Sequence, residues 1–149
     1  MGFTEYAKGT FALQIVAPEL SPKRRRQVGS FVGYNGRSTS ACTQASYLTL
    51  TNGQLYIQYA NGTTAQYSAN SGDAYDYLIP SAVPGNVTTT FSLSKTGTLL
   101  WNSDYFFNAG ALFCVLPSGT IVAVFQQGAQ PSGCVFVDLT VAECEFHML

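Results

Sequence analysis

The feature that most constrains this chain is a hairpin pattern that recurs in register. Tyr47-Leu48-Thr49-Leu50-Thr51-Asn52-Gly53-Gln54-Leu55 matches Phe91-Ser92-Leu93-Ser94-Lys95-Thr96-Gly97-Thr98-Leu99, and Phe113-Cys114-Val115-Leu116-Pro117-Ser118-Gly119-Thr120-Ile121 matches both. In each, an aromatic residue stands six positions before a glycine and eight before an aliphatic residue. Physically this is a strand, a tight turn whose glycine supplies a positive φ, and a return strand. The three starts, at 47, 91 and 113, are separated by 44 and 22 residues, both multiples of 22.

Elsewhere, runs of β-branched and aromatic residues are cut by Gly, Pro, Asn and Ser, and helical periodicity is hard to find. The chain therefore reads as all-β. Twelve short antiparallel strands are expected, the first six at Phe11–Val16, Val28–Tyr34, Tyr47–Thr51, Gln54–Ala60, Thr63–Ala69 and Tyr77–Val83. The others are Thr88–Ser94, Thr98–Asn102, Tyr105–Asn108, Leu112–Leu116, Thr120–Phe125 and Cys134–Val141. A hairpin about every 22 residues is the rhythm of a β-trefoil-like or other closed β-barrel. A β-sandwich is the alternative, since such hairpins occur in any hairpin-rich domain. The 149 residues are expected to form one all-β domain, with an ordered core at about 10–144 and a mobile loop at 17–27.

Composition narrows the function classes. Only 10% of residues are charged, against about 25% in an ordinary soluble domain. Seven Lys plus Arg against eight Asp plus Glu leave a net charge of −1, which argues against nucleic acid as a partner. No apolar run approaches the roughly 20 residues of a membrane span. Ten Phe and nine Tyr fill a core and exclude a disordered chain. What remains outside is a surface of neutral polar groups, as in secreted β proteins.

The cysteines point to the same compartment. Cys42, Cys114, Cys134 and Cys144 form no C-x-x-C pair, and the only histidine is His147, so no metal site is expected. Two disulfides in an oxidising compartment are the preferred reading. Of three possible connectivities, Cys114–Cys134 with Cys42–Cys144 is favoured, because the first pair flanks adjacent expected strands. Asn61-Gly62-Thr63 and Asn86-Val87-Thr88 are glycosylation sequons at Asn61 and Asn86. The start Met1-Gly2-Phe3-Thr4-Glu5 lacks a basic stretch followed by an apolar core, so the expectation is that a secretion signal has been removed. Lys23-Arg24-Arg25-Arg26 reads first as a solvated loop, with a dibasic processing site at Arg25-Arg26, cut after Arg26, as the sharper alternative and heparin or acidic-lipid binding third.

Catalytic equipment is hard to find. His147 lies near the end of the chain, and no G-x-S-x-G, phosphate-binding Gly loop or H-E-x-x-H occurs. Asp73 and Asp76 are the one carboxylate pair to consider for glycoside hydrolysis, and a solvated turn is the simpler reading. The expectation is no enzyme and no cofactor. Two segments suit sugar binding, Trp101-Asn102-Ser103-Asp104-Tyr105 and Asp73-Ala74-Tyr75-Asp76-Tyr77. Their rings (Trp101, Tyr105, Tyr75, Tyr77) can stack on a pyranose face, while Asn102, Asp104, Asp73 and Asp76 hydrogen-bond its hydroxyls. The plainer reading makes Trp101 core and the tyrosines ordinary strand residues.

The order Cys42-Thr43-Gln44-Ala45-Ser46-Tyr47-Leu48-Thr49-Leu50, then Asn52-Gly53-Gln54-Leu55-Tyr56, resembles the middle of small fungal secreted proteins. These are the phialide cell-wall proteins and related IgE-binding or hypersensitive-response-inducing proteins. Ala111-Leu112-Phe113-Cys114, Val122-Ala123-Val124-Phe125 and Gly133-Cys134-Val135-Phe136-Val137-Asp138-Leu139 occupy the places of that group's later motifs, so the likeness spans roughly residues 11–141. Cys114 lacks a following proline, and the basic loop at 23–26 is no part of the pattern. The resemblance implies secretion, cell-wall association and recognition by a host, and it carries no catalytic residues. The resulting expectation is a non-enzymatic secreted fungal cell-wall or surface protein. Its partner would be a cell-wall polysaccharide or a host surface component. A carbohydrate-binding, lectin-like module and a secreted elicitor or effector are the alternatives.

Overall fold

The computed structural model describes residues 10–17, 30–59 and 62–142. Its strands are β1 (Thr10–Val16), β2 (Phe31–Val32), β3 (Ser38–Thr39), β4 (Leu48–Thr51), β5 (Gln54–Gln58) and β6 (Thr64–Gln66). They continue as β7 (Tyr75–Tyr77), β8 (Phe91–Leu93), β9 (Leu99–Trp101), β10 (Leu112–Val115), β11 (Ile121–Val124) and β12 (Val135–Ala142). Single 3-10 turns occur at Cys42–Gln44 and Phe107–Ala109. The protein is all-β.

One antiparallel sheet runs β6-β5-β4-β1-β12-β10-β11-β7, with β2 on β1 and β3 on β2, and it curls into a half-barrel. The first and last strands lie side by side in its middle, Leu13 opposite Val141 and Ile15 opposite Leu139. Alternation along β1 sends Phe11, Leu13 and Ile15 into the main core. The β8–β9 hairpin is a separate two-stranded sheet. It is tied on one flank by the Phe91 N–H to the Gly53 carbonyl and on the other by the Val141 N–H to the Gly97 carbonyl.

All three matching segments form hairpins: β4–β5, β8–β9 and β10–β11. Their turn glycines, Gly53, Gly97 and Gly119, have φ of 79°, 86° and 93°. The aliphatic residue of each repeat, Leu55, Leu99 or Ile121, is buried. Phe91 and Phe113 are buried too, while Tyr47 precedes β4 and stays half-buried.

Three strand assignments need correction: the strand expected at Tyr77–Val83 is Tyr75–Tyr77, with only an isolated bridge at Ser81 beyond it. Tyr105–Asn108 is not a strand: the chain turns there, with φ of 55° at Asn108 and 60° at Ala109. Ser103 is the local cause, since its Oγ accepts the Tyr105 N–H and its carbonyl accepts the Phe106 N–H. Of the three aromatic residues at 105–107 only Phe106 is buried, a strand-like alternation that the turn interrupts. Ser38–Thr39 pairs with β2 although it has no apolar residue to signal a strand.

A second, smaller apolar layer lies on the outer face of β10, β11 and β12. Cys114, Val122 and Val124 are buried there under residues 126–134, with Ala129, Cys134 and Phe136 packed against them. The Cys114–Cys134 disulfide pins this connection to the sheet, in agreement with the expected pairing. Cys42 is disulfide-bonded as well, and Cys144 lies outside the described residues. No described helix is long and apolar enough to cross a membrane.

Candidate binding groove

The connection from β11 to β12 passes over the outer face of β10 and forms one wall of a groove. The cavity measures about 370 Å³, within the usual range for small-molecule sites. Leu112, Val124 and Phe136 line it from the strands, Phe107 and Asn108 from the 3-10 turn, and Gln126, Gln127, Gly128 and Gln130 from the connection. Leu112 is directly opposite Val124 in the β10–β11 ladder, so both side chains share a face. Phe107 is 44% exposed and Leu112 58% exposed. The polar lining side chains are amides: Asn108, Gln126, Gln127 and Gln130. Among the described residues, none lining the groove is ionisable.

Below the groove the aromatic core holds the 3-10 turn in place. Trp101 is 2% exposed and stacks on Phe91 at 4.3 Å between ring centroids. It meets Phe106 and Phe125 edge-on, at 5.2 and 5.4 Å, and those two rings stack on each other. Its indole N–H donates to the Thr89 carbonyl. This corrects the expectation that Trp101 stacks on a sugar, because its ring is sealed among apolar neighbours. Asn102, itself exposed, also supports the turn. Its backbone pairs with Gly110 and its Nδ2 donates to the Ala109 carbonyl, fixing the turn that presents Phe107 and Asn108. Asp104 and Tyr105 are exposed on the same turn, and neither lines the groove.

The other expected segment reaches the same end of the molecule. Phe125 accepts the Phe107 N–H through its carbonyl and donates its own N–H to the Ala74 carbonyl, so Ala74 of this segment and Phe107, two residues beyond the other segment, flank one residue. On β7, Tyr75 and Tyr77 lie opposite Val124 and Val122, exposed and edge-to-face at 6.2 Å. Asp76, opposite Ala123, points to the other face. There it lines a separate pocket of about 220 Å³ with Ser68, Asn70, Tyr77, Ser81 and Gly85. Burial raises its pKa first of all, the Tyr77 N–H opposes that by donating to Oδ1, and the charge of Asp73 adds to the rise. Asp73 accepts the Asn70 N–H in a turn and does not line this pocket.

Asn86 is exposed, and both ends of its amide engage Ser71: Oδ1 accepts the Ser71 N–H and Nδ2 donates to Ser71 Oγ. Asn61, Arg25, Arg26 and the rest of the Lys23–Arg26 run lie outside the described residues, as does His147. Sequence reasoning missed Phe107, Asn108 and the glutamines of 126–130. The signal was present in Gln126-Gln127-Gly128-Ala129-Gln130, a run of uncharged amides beside a cysteine pair.

The profile of a domain of unknown function, DUF7908, matches residues 6–145. The chain belongs to that family. No curated protein and no solved structure shows a significant match. The groove, the disulfide and the tyrosines of β7 all fall inside the span of this DUF7908 domain.

Proposed function

We propose that this DUF7908 protein is a secreted, non-enzymatic surface protein that binds a neutral polysaccharide in the groove between the 3-10 turn and the β11–β12 connection. The observation that carries the reading is the lining. Exposed apolar groups, Phe107 and Leu112, stand beside four amides, with no ionisable side chain among the described residues of the lining. An apolar face can stack on a sugar ring while amides donate to and accept from its hydroxyls, and a neutral lining suits a ligand without charge. The Cys114–Cys134 disulfide supports an oxidising compartment. The resemblance to fungal wall proteins supports wall polysaccharide as the source of the ligand.

The test is co-sedimentation with insoluble β-glucan, chitin and cellulose, together with a glycan array of neutral oligosaccharides. Phe107→Ala and Gln127→Ala should each weaken binding at least tenfold with little change in thermal midpoint. Absence of binding to every neutral glycan by the wild-type protein would remove this reading.

A further inference from the structure

The second pocket has the opposite electrostatic character. It is closed on one side by Ser68–Asn70 and on the other by Ile79, Ser81, Val83 and Gly85, with Asp76 and Tyr77 of β7 between them. Its hydrogen-bonding groups are specific about what they still have to offer. Asp76 Oδ1 accepts the Tyr77 N–H, and among the described residues no protein donor reaches Oδ2. No basic side chain among the described residues contributes to the environment of that carboxylate, and the one charge acting on it is the like charge of Asp73. Ser68 Oγ accepts the Gly85 N–H and keeps its own proton to donate. The Asn70 side-chain amide keeps donors and an acceptor free. Ser81 is satisfied locally through the Val83 backbone, so it shapes the rim.

We infer that this pocket binds a single amino-sugar unit in its protonated form, with Asp76 accepting from the ammonium and Ser68 and Asn70 serving the ring hydroxyls. A half-buried carboxylate without a cationic partner is relieved by a ligand that brings one. The neighbouring hydroxyl and amide groups favour a polyol over a bare alkyl amine, and about 220 Å³ has room for one ring rather than a chain. The pocket opens on the face of β7 opposite Tyr75, so its ligand is distinct from the neutral chain proposed for the groove. The inference stands or falls independently of that reading.

Titration of ¹⁵N-labelled protein with glucosamine, N-acetylglucosamine and glucose decides it. Glucosamine should shift the amides of Ser68, Asn70, Tyr77 and Gly85, and the two neutral sugars should bind at least tenfold more weakly. Asp76→Asn should lose glucosamine binding at least tenfold. Val83→Lys, at a rim residue that is 82% exposed, should weaken it without risk to the fold. Binding to insoluble neutral polysaccharide should be unchanged in both variants. Equal binding of glucose, no glucosamine shifts in this pocket, or full binding by Asp76→Asn would each overturn the assignment.

Discussion

Tyr67 shows how much a single buried polar group can govern. Its ring is 1% exposed and its hydroxyl meets the Oγ of Ser46, itself fully buried, at 3.3 Å. Burial drives the phenol pKa far above its usual 10.0, the Ser46 hydrogen bond partly offsets this, and Tyr59 adds slightly. The sign follows from linkage. The folded state keeps this proton while the unfolded chain releases it above about pH 10, so stability is intact below that pH and falls above it, by about 1.4 kcal/mol per pH unit for one group. Tyr67→Phe should flatten that slope above pH 10 and cost about 1 kcal/mol at neutral pH, because Ser46 loses its partner. Urea denaturation at a series of alkaline pH values measures both, and an unchanged slope would exclude Tyr67 as its source. The same scale explains what the sequence concealed. Trp101 and Tyr75 both sit in aromatic-polar segments, and nothing local says that one is sealed under Phe91, Phe106 and Phe125 while the other is exposed.

Among elements, the β11–β12 connection matters most. It leaves β11 at Phe125 and returns to β12 at Val135, with β10 lying between the two strands. Such a segment has no strand partner for its backbone. The Cys114–Cys134 bond and the burial of Ala129 against Val122 and Val124 hold it in place. Closing a loop of this size contributes about 3 kcal/mol on the chain-entropy estimate. Cys114→Ala with Cys134→Ala should therefore lower stability by a few kcal/mol and loosen the groove wall at Gln126–Gln130. Hydrogen exchange should show faster amide exchange across that wall than across β1 or β4, and uniform protection would refute the wall's dependence on the bond. The pairing was legible because the two cysteines flank adjacent predicted strands. The groove was not, because a crossing loop is defined by what it covers, and that depends on a register visible only in three dimensions. The turn at Phe107–Ala109 was hidden for a related reason: its aromatic run imitates a strand, while hydrogen bonds to Ser103 redirect the backbone.

For the whole molecule, the issue is whether the β8–β9 hairpin is an independent unit or part of one cooperative fold. Among the described residues its backbone meets the large sheet only at isolated points: the Phe91 N–H to Gly53, the Val141 N–H to Gly97 beside the Thr98–Thr140 bridge, and the Ala111 N–H to Trp101 next to β10. Its side chains, however, belong to the main core: Phe91, Leu99 and Trp101 are in the same apolar cluster as Leu13, Ile15, Leu48 and Leu139. A two-stranded hairpin alone is marginal in water, so burial rather than backbone pairing must stabilise this one. Trp101, the single tryptophan, reports on the hairpin, while far-UV circular dichroism is dominated by the ten-stranded sheet. The two signals should lose structure at the same denaturant concentration, as expected for a two-state domain of this size. Ile15→Ala tests the coupling from a distance. Ile15 is 1% exposed on β1 and paired with Leu139 on β12, and its truncation should cost about 2–5 kcal/mol. If the core is shared, that substitution moves the Trp101 transition as far as the circular dichroism transition. A tryptophan signal that stays at its wild-type midpoint would instead show the hairpin folding on its own terms, and the 22-residue rhythm would then mark separable units rather than one half-barrel and the hairpin fastened to it.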